Sequence, residues 1–176
     1  RLAYMAQQDL LLPWLTVTEN VMLGARLRGE RNAALAERAR ALVSRVGLAD
    51  YADALLDACS GGMRQRAALA RTLIEDRPVV LMDEPFSALD AITRLQLQEL
   101  AAEMLAGRTV LLVTHDPLEA LRLGHGIHVM TGRPARIGDA LRPPGAAPRP
   151  AGDPAVLAQQ ADLLARLTAA AAETAQ

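Results

Sequence analysis

At 176 residues, 51% hydrophobic and 22% charged, the chain has an ordinary globular composition with enough apolar material for one substantial core. A formal charge of −1 offers no bulk attraction to nucleic acid or anionic lipid, so no nucleic-acid partner is expected. No apolar run approaches the ~18 residues of a membrane span, and a single cysteine, Cys59, excludes an internal disulfide framework and points to a reducing setting.

The first segment, Leu2 to Met5, has strand character, and the chain opens at Arg1 immediately before it. All 19 basic residues are arginine, so a GK[ST] phosphate loop cannot lie within this sequence. A fragment lacking its amino-terminal portion is the expectation. Gln7-Gln8-Asp9 closes the strand, and the apolar loop Leu10-Leu11-Leu12-Pro13-Trp14 follows. Thr16 with Glu19 forms a capping-box pattern, which predicts a helix from about Val17 to Leu27. Asn32 caps a second helix that stops at Gly47. Leu35, Ala39, Leu42 and Val46 share its apolar face, and its arginines form a solvated one.

Asp50 to Ala58 is an irregular link into Cys59-Ser60-Gly61-Gly62-Met63-Arg64-Gln65-Arg66. Ser60 is a good N-cap for a helix to about Glu75, with Met63, Ala67, Ala70 and Ile74 on its buried side. Val79-Val80-Leu81-Met82, bounded by Pro78 and Pro85, predicts a buried parallel strand that ends in Asp83 and Glu84. Parallel sheets deliver reactive groups at the carboxyl ends of strands. Asp90 caps a long helix to Leu105, closed by Gly107. Arg108 to Thr114 is a second strand of buried type, with His115 at its end. Asp116-Pro117-Leu118-Glu119 carries a cap, an N1 proline and a capping glutamate for the next helix. Two short strands are expected at 127–131 and 135–137, then a Pro/Gly/Ala-rich linker at 143–150. A helix from Asp153-Pro154, fraying toward Gln176, ends the chain as part of a mobile tail.

Taken singly, a glutamine after a strand, a Ser-Gly-Gly cap, a pair of acids in a turn and a histidine at a strand end are each explained by ordinary structure. Their order and spacing are more specific. Ser60 lies 53 residues after Gln7, Asp83 lies 23 further on, and His115 follows 32 residues later. The combination resembles the ATP-binding cassette family, the nucleotide-binding subunits of ABC transporters, over residues 1 to about 138. Gln7 matches the Q-loop glutamine, Ser60-Gly61-Gly62 the signature, Asp83-Glu84 the Walker B end, Ser87-Ala88-Leu89-Asp90 the D-loop and His115 the switch histidine.

The resemblance implies an α/β three-layer core of P-loop NTPase type, incomplete at its amino end. A helical subdomain would span 8–76, a catalytic-core half 77–138, and a linker and helical tail 139–176. It implies ATP and Mg²⁺ as ligands. Asp83 would bind Mg²⁺ through water, and Glu84 would act as general base or water-positioner. His115 would contact the γ-phosphate, and Gln7 would reach the Mg²⁺ and the attacking water. Ser60, Gly61 and Gly62, with Gln65 and Asp90, would serve ATP across a dimer of two cassettes. Free amides and a hydroxyl at a helix start suit a γ-phosphate. Pro13 and Trp14 fall where the family docks its transmembrane permease, and a local packing role for Trp14 is the alternative.

Two signature positions depart from the family pattern. Cys59 replaces a usual leucine as a small hydrophobe, and Met63 replaces glutamine. LLPWLTVTENV at 11–21, DEPFSALDAITR at 83–94 and MTGRPARI at 130–137 resemble the nitrate/sulfonate/taurine importer branch, whereas residues 141–167 are most similar to its thiamine-precursor group. A bacterial importer ATPase at the cytoplasmic face of the inner membrane is thereby implied, with a periplasmic binding protein as an indirect partner. The competing expectation is a truncated, non-catalytic cassette that only dimerises or docks.

Overall fold

A computed structural model describes residues 2–30 and 32–174, with side chains described through residue 169. Two compact units, Arg1–Val113 and Thr114–Gln176, make up the chain. The first contains β1 (Leu2–Met5), α1 (Val17–Val21), α2 (Leu23–Leu27), α3 (Ala33–Arg45), α4 (Gly61–Leu73), β2 (Val79–Asp83), α5 (Ala91–Met104) and β3 (Thr109–Val113). Short 3₁₀ turns at Ala49–Tyr51 and Leu56–Ala58 link α3 to α4.

The three strands form one parallel sheet in the order β1-β2-β3, with Tyr4 opposite Leu81 and Leu81 opposite Leu111. Side chains alternate across a strand, and only one face of this sheet is well covered. Ala3, Met5, Val80 and Met82 are buried on it. Leu2, Tyr4 and Leu111, on the opposite face, are 50–60% exposed. The expectation of a buried strand at 108–114 is therefore corrected, since β3 is an edge strand whose Val110, Leu111 and Val113 all reach the surface. Among the described residues no second layer covers this strand.

The helix expected over 17–27 is two helices, because Met22 closes α1 and opens α2. The Thr16–Glu19 capping box is formed in full. Thr18 is fixed by a 2.7 Å hydrogen bond from its hydroxyl to the Ala52 carbonyl, and Val17 and Thr18 donate their amides to Ala54 and Ala52. The 49–58 link thus ties down the start of α1, whose Val17 and Val21 are completely buried where it packs on α3 and α4.

The second unit contains α6 (Pro117–Leu123), a two-stranded hairpin of β4 (Met130–Thr131) and β5 (Arg136–Ile137), and α7 (Pro154–Thr174). The strands are shorter than expected, and Ile127 instead bridges Leu141 beyond the hairpin. Leu121, Ile127, Val156 and Leu163 form its core. The 143–150 segment is more than a linker. Buried Arg149 donates to the carbonyls of Leu121, Gly124, Pro143, Pro144 and Gly145 at 2.7–3.0 Å. Arg122 returns a bond to the Arg149 carbonyl at 2.9 Å. Leu163 of α7 packs with Leu121 of α6 in this core. The expected fraying at Gln176 lies outside the described residues.

Candidate functional site

The site is built where β2 ends. Asp83 closes the strand opposite Val113, on the open face of the sheet with Leu81. Glu84 then turns the chain with φ 47°, a left-handed conformation that a non-glycine residue adopts only at a cost of ~1–2 kcal/mol. The turn is held on several sides. The Glu84 amide donates to the Val113 carbonyl at 2.9 Å, and its carbonyl accepts from Gln65 Nε2 at 3.1 Å and from the Ser87 hydroxyl at 3.1 Å. Gln65 Oε1 accepts the Ala88 amide at 2.8 Å. A strained turn braced this way leaves its acidic side chain aimed by the backbone.

From β1, Gln7 reaches the same carboxylate, with Nε2 3.2 Å from Glu84 Oε2 across 77 residues of sequence. Gln7 is exposed and Glu84 half-buried, so the pair sits at a water-accessible rim. Asp83, Glu84 and the Gln7 amide oxygen are all hard oxygen donors, the type that Mg²⁺ takes alongside waters and phosphate oxygens. Among the described residues no cluster of three or more His, Cys, Asp or Glu could hold a metal by itself.

Ser60 caps α4 by accepting the Met63 amide at 3.3 Å. The Met63 thioether in turn accepts the Ser60 amide at 3.4 Å, filling the place that glutamate or glutamine holds in a capping box. Ser60 and Gly61 are exposed, so the free amides of the first turn face solvent. Gly62 is where α4 meets the acidic turn, since a Cβ there would lie 3.3 Å from the Ala88 carbonyl oxygen. Asp90 caps α5 through Thr93, and hydrogen bonds from that residue hold its carboxyl below the usual range. Cys59 is buried, and burial pushes its thiol up, as befits a small hydrophobe.

Gln7 and Glu84 are thus brought together, and Gly62 is brought against the loop that leads to Asp90. Gln65, expected at the nucleotide, is 7% exposed, and both ends of its amide bond to the acidic turn. Its position on α4, one turn before buried Leu69, was the signal for a buried polar brace. His115 is exposed, one residue before the Asp116 cap of α6 in the second unit. Trp14 is 70% exposed.

A family model described as "ABC transporter" matches residues 1–87. The chain is 45% identical over 152 residues to an uncharacterised ABC transporter ATP-binding protein of Haemophilus influenzae, covering 85% of this chain and 63% of that protein. The chain carries ABC transporter ATP-binding domain sequence.

This cassette chain is also 44% identical to a taurine import ATP-binding protein of Jannaschia, over 78% of this chain and 52% of the relative. It is 41% identical to an aliphatic sulfonates import ATP-binding protein of Burkholderia cenocepacia, over 93% and 60%. The chain thus spans between about half and just under two thirds of these relatives' lengths. Among solved structures, an ATP-binding cassette captured as a dimer after hydrolysis, with ADP and Pi bound, superimposes with a TM-score of 0.63. That match has 33% identity and covers 69% of this chain and 55% of the other. The fold is accordingly that of an ABC ATPase, an α/β cassette of P-loop NTPase type.

Proposed function

We propose that the protein to which this chain belongs is the ATP-hydrolysing subunit of a bacterial ABC importer, and that the Gln7–Glu84 cluster is its hydrolytic centre. The observation that carries the reading is the 3.2 Å contact between a strand-end glutamine and a glutamate held in a braced, left-handed turn. In this reading Glu84 orients water toward the γ-phosphate and takes its proton. Gln7 fixes the rotamer of that carboxylate, and Gln65 acts on the nucleotide site through the turn it braces. Ser60, with the amides of Gly61 and Gly62, would bind phosphate at the start of α4. Asp90 would lie at the junction with a second cassette, and His115 would contact the γ-phosphate. Mg²⁺, held through water by Asp83 and Gln7, would supply charge neutralisation for the phosphates.

A homodimer is favoured by the dimeric state of the solved relative. Permease subunits would dock on the exposed Pro13–Trp14 loop, with a periplasmic binding protein acting indirectly, at the cytoplasmic face of the inner membrane. Among the described residues no helix is long and apolar enough to cross a membrane. The relatives' names favour a sulfonate-class solute such as taurine over a thiamine precursor or nitrate. The helical part is proposed to span 8–76, with 77–138 the catalytic-core half.

Glu84→Gln tests the reading. In the full-length protein, ATP turnover should fall by about 10²-fold or more while nucleotide binding persists, as expected for loss of a general base. Turnover unchanged by Glu84→Gln would remove Glu84 from the chemistry. A truncated cassette acting only as a dimerisation or docking module is the second reading. Full-length protein that dimerises with no turnover would establish it.

A further inference from the structure

The loop that carries Gln7 turns back at Leu10, whose φ is 47°. A branched L-residue occupies that region at a steric cost, and Leu10 is 58% exposed, so apolar burial does not compensate for it. The compensation comes from α4. Arg71 donates from NH2 to the Asp9 carbonyl at 2.6 Å and from NH1 to the Leu10 carbonyl at 2.7 Å, gripping two successive peptide groups at the bend. Nearer the Ser60 end of the same helix, Arg64 donates to the Asp9 carboxylate at 3.1 Å and to the Cys59 carbonyl at 3.0 Å. The other carboxylate oxygen of Asp9 accepts the Leu11 amide at 3.2 Å.

We infer that Arg71 is a positioning residue for Gln7: by holding Leu10 in the left-handed region, it fixes the loop in the course that brings Gln7 to Glu84. The Asp9–Arg64 pair secures the same loop, so the helix that presents Ser60 and the loop that presents Gln7 move as one piece. Only a planar fork spans two carbonyls this way, and a lysine ammonium does not reproduce it. The functional meaning rests on the proposed role of Gln7 and Glu84, but the geometric claim is independent of nucleotide.

The test uses the ¹⁵N-labelled 176-residue chain without nucleotide and follows the side-chain amide resonances of Gln7 and Gln65. Gln65 is the internal control, since its amide bonds to Glu84, Ser87 and Ala88 and not to the loop. In Arg71→Ala the Gln7 resonances should move toward their position in Glu84→Ala, while those of Gln65 stay in place. Adding Leu10→Gly should bring Gln7 back, because glycine holds a positive φ without steric cost. Should Arg71→Ala fail to fold, Arg71→Lys carries the same expected displacement and its Leu10→Gly double variant the same return. Unmoved Gln7 resonances, equal movement of Gln65, or no return with Leu10→Gly would each overturn the positioning role. Absence of ATP turnover in the full-length protein would instead count against the proposed function and leave these shifts as they are.

Discussion

Glu19 shows how one side chain links local folding to pH. Its carboxylate accepts the Thr16 amide at 3.0 Å and pairs with Arg26 at 3.2 Å, completing the cap of α1. The backbone bond from Thr16 is the leading reason that its pKa lies below the ordinary 4.5, partly offset by desolvation and reinforced by Arg26. A carboxyl depressed in the folded state contributes stability that is present above its unfolded pKa and lost as pH falls through the folded one. Relative to Glu19→Gln, the wild-type chain should therefore hold an advantage in melting temperature that is constant well above the ordinary 4.5 and shrinks as the pH falls below it. A difference that does not change with pH would mean the glutamate acts here only through its shape. Thr16 and Glu19 were legible together, because a capping box depends on residues three apart. The Gln7–Glu84 contact was not legible as geometry, since the two residues lie 77 apart in sequence and no local pattern sets the distance between them.

At the scale of elements, the loop between β1 and α1 is organised by a residue inside α1. Asn20 is fully buried; its Oδ1 accepts the Leu12 amide at 2.7 Å, and its Nδ2 donates to the carbonyls of Leu12, Leu15 and Thr16 at 3.1–3.2 Å. Asparagine is a middling helix former, so its presence in α1 is explained by the loop it holds. Asn20→Ala would leave the Leu12 amide without its partner and should cost about 2–3 kcal/mol. In urea unfolding this should appear as a lower midpoint with an unchanged slope. The α1–α2 break at Met22 has the opposite legibility: amphipathic spacing continues through it, and only the packing of two short helices reveals the interruption. The edge position of β3 was likewise hidden, because apolar composition reports that a strand prefers burial without reporting what covers it.

For the whole chain, the division after Val113 separates a unit built on a three-stranded sheet from one built on α6 and α7. Arg149 holds the second unit together by spending a buried cation on five backbone carbonyls. Burial and desolvation lower its pKa, so its hydrogen bonds must repay the loss of water. Arg149→Met keeps apolar volume but removes every donor, and should cost on the order of 3 kcal/mol. Hydrogen exchange should then accelerate across α6 and α7, while the amides of β2 and α4 stay protected. Uniform acceleration through the chain would show that the two units unfold together. A proline- and glycine-rich stretch gave no sign of this role, because composition describes the backbone's freedom and not the arginine that restrains it.

The caps at Thr16, Asn32, Ser60, Asp90 and Asp116 all form as their local sequences dictate, since a cap needs partners only two or three residues away. The order and spacing of Gln7, Ser60, Asp83 and His115 were likewise enough to identify the family. Tertiary structure alone decided which of these groups meet and what restrains them. It carried Gln7 to Glu84 and set Gln65 beneath the acidic turn. It also bound Leu10 to α4 through Arg71 and packed the tail against α6. Each of these depends on contacts between segments distant in sequence, whose geometry is fixed only once the strands have paired and the helices have packed.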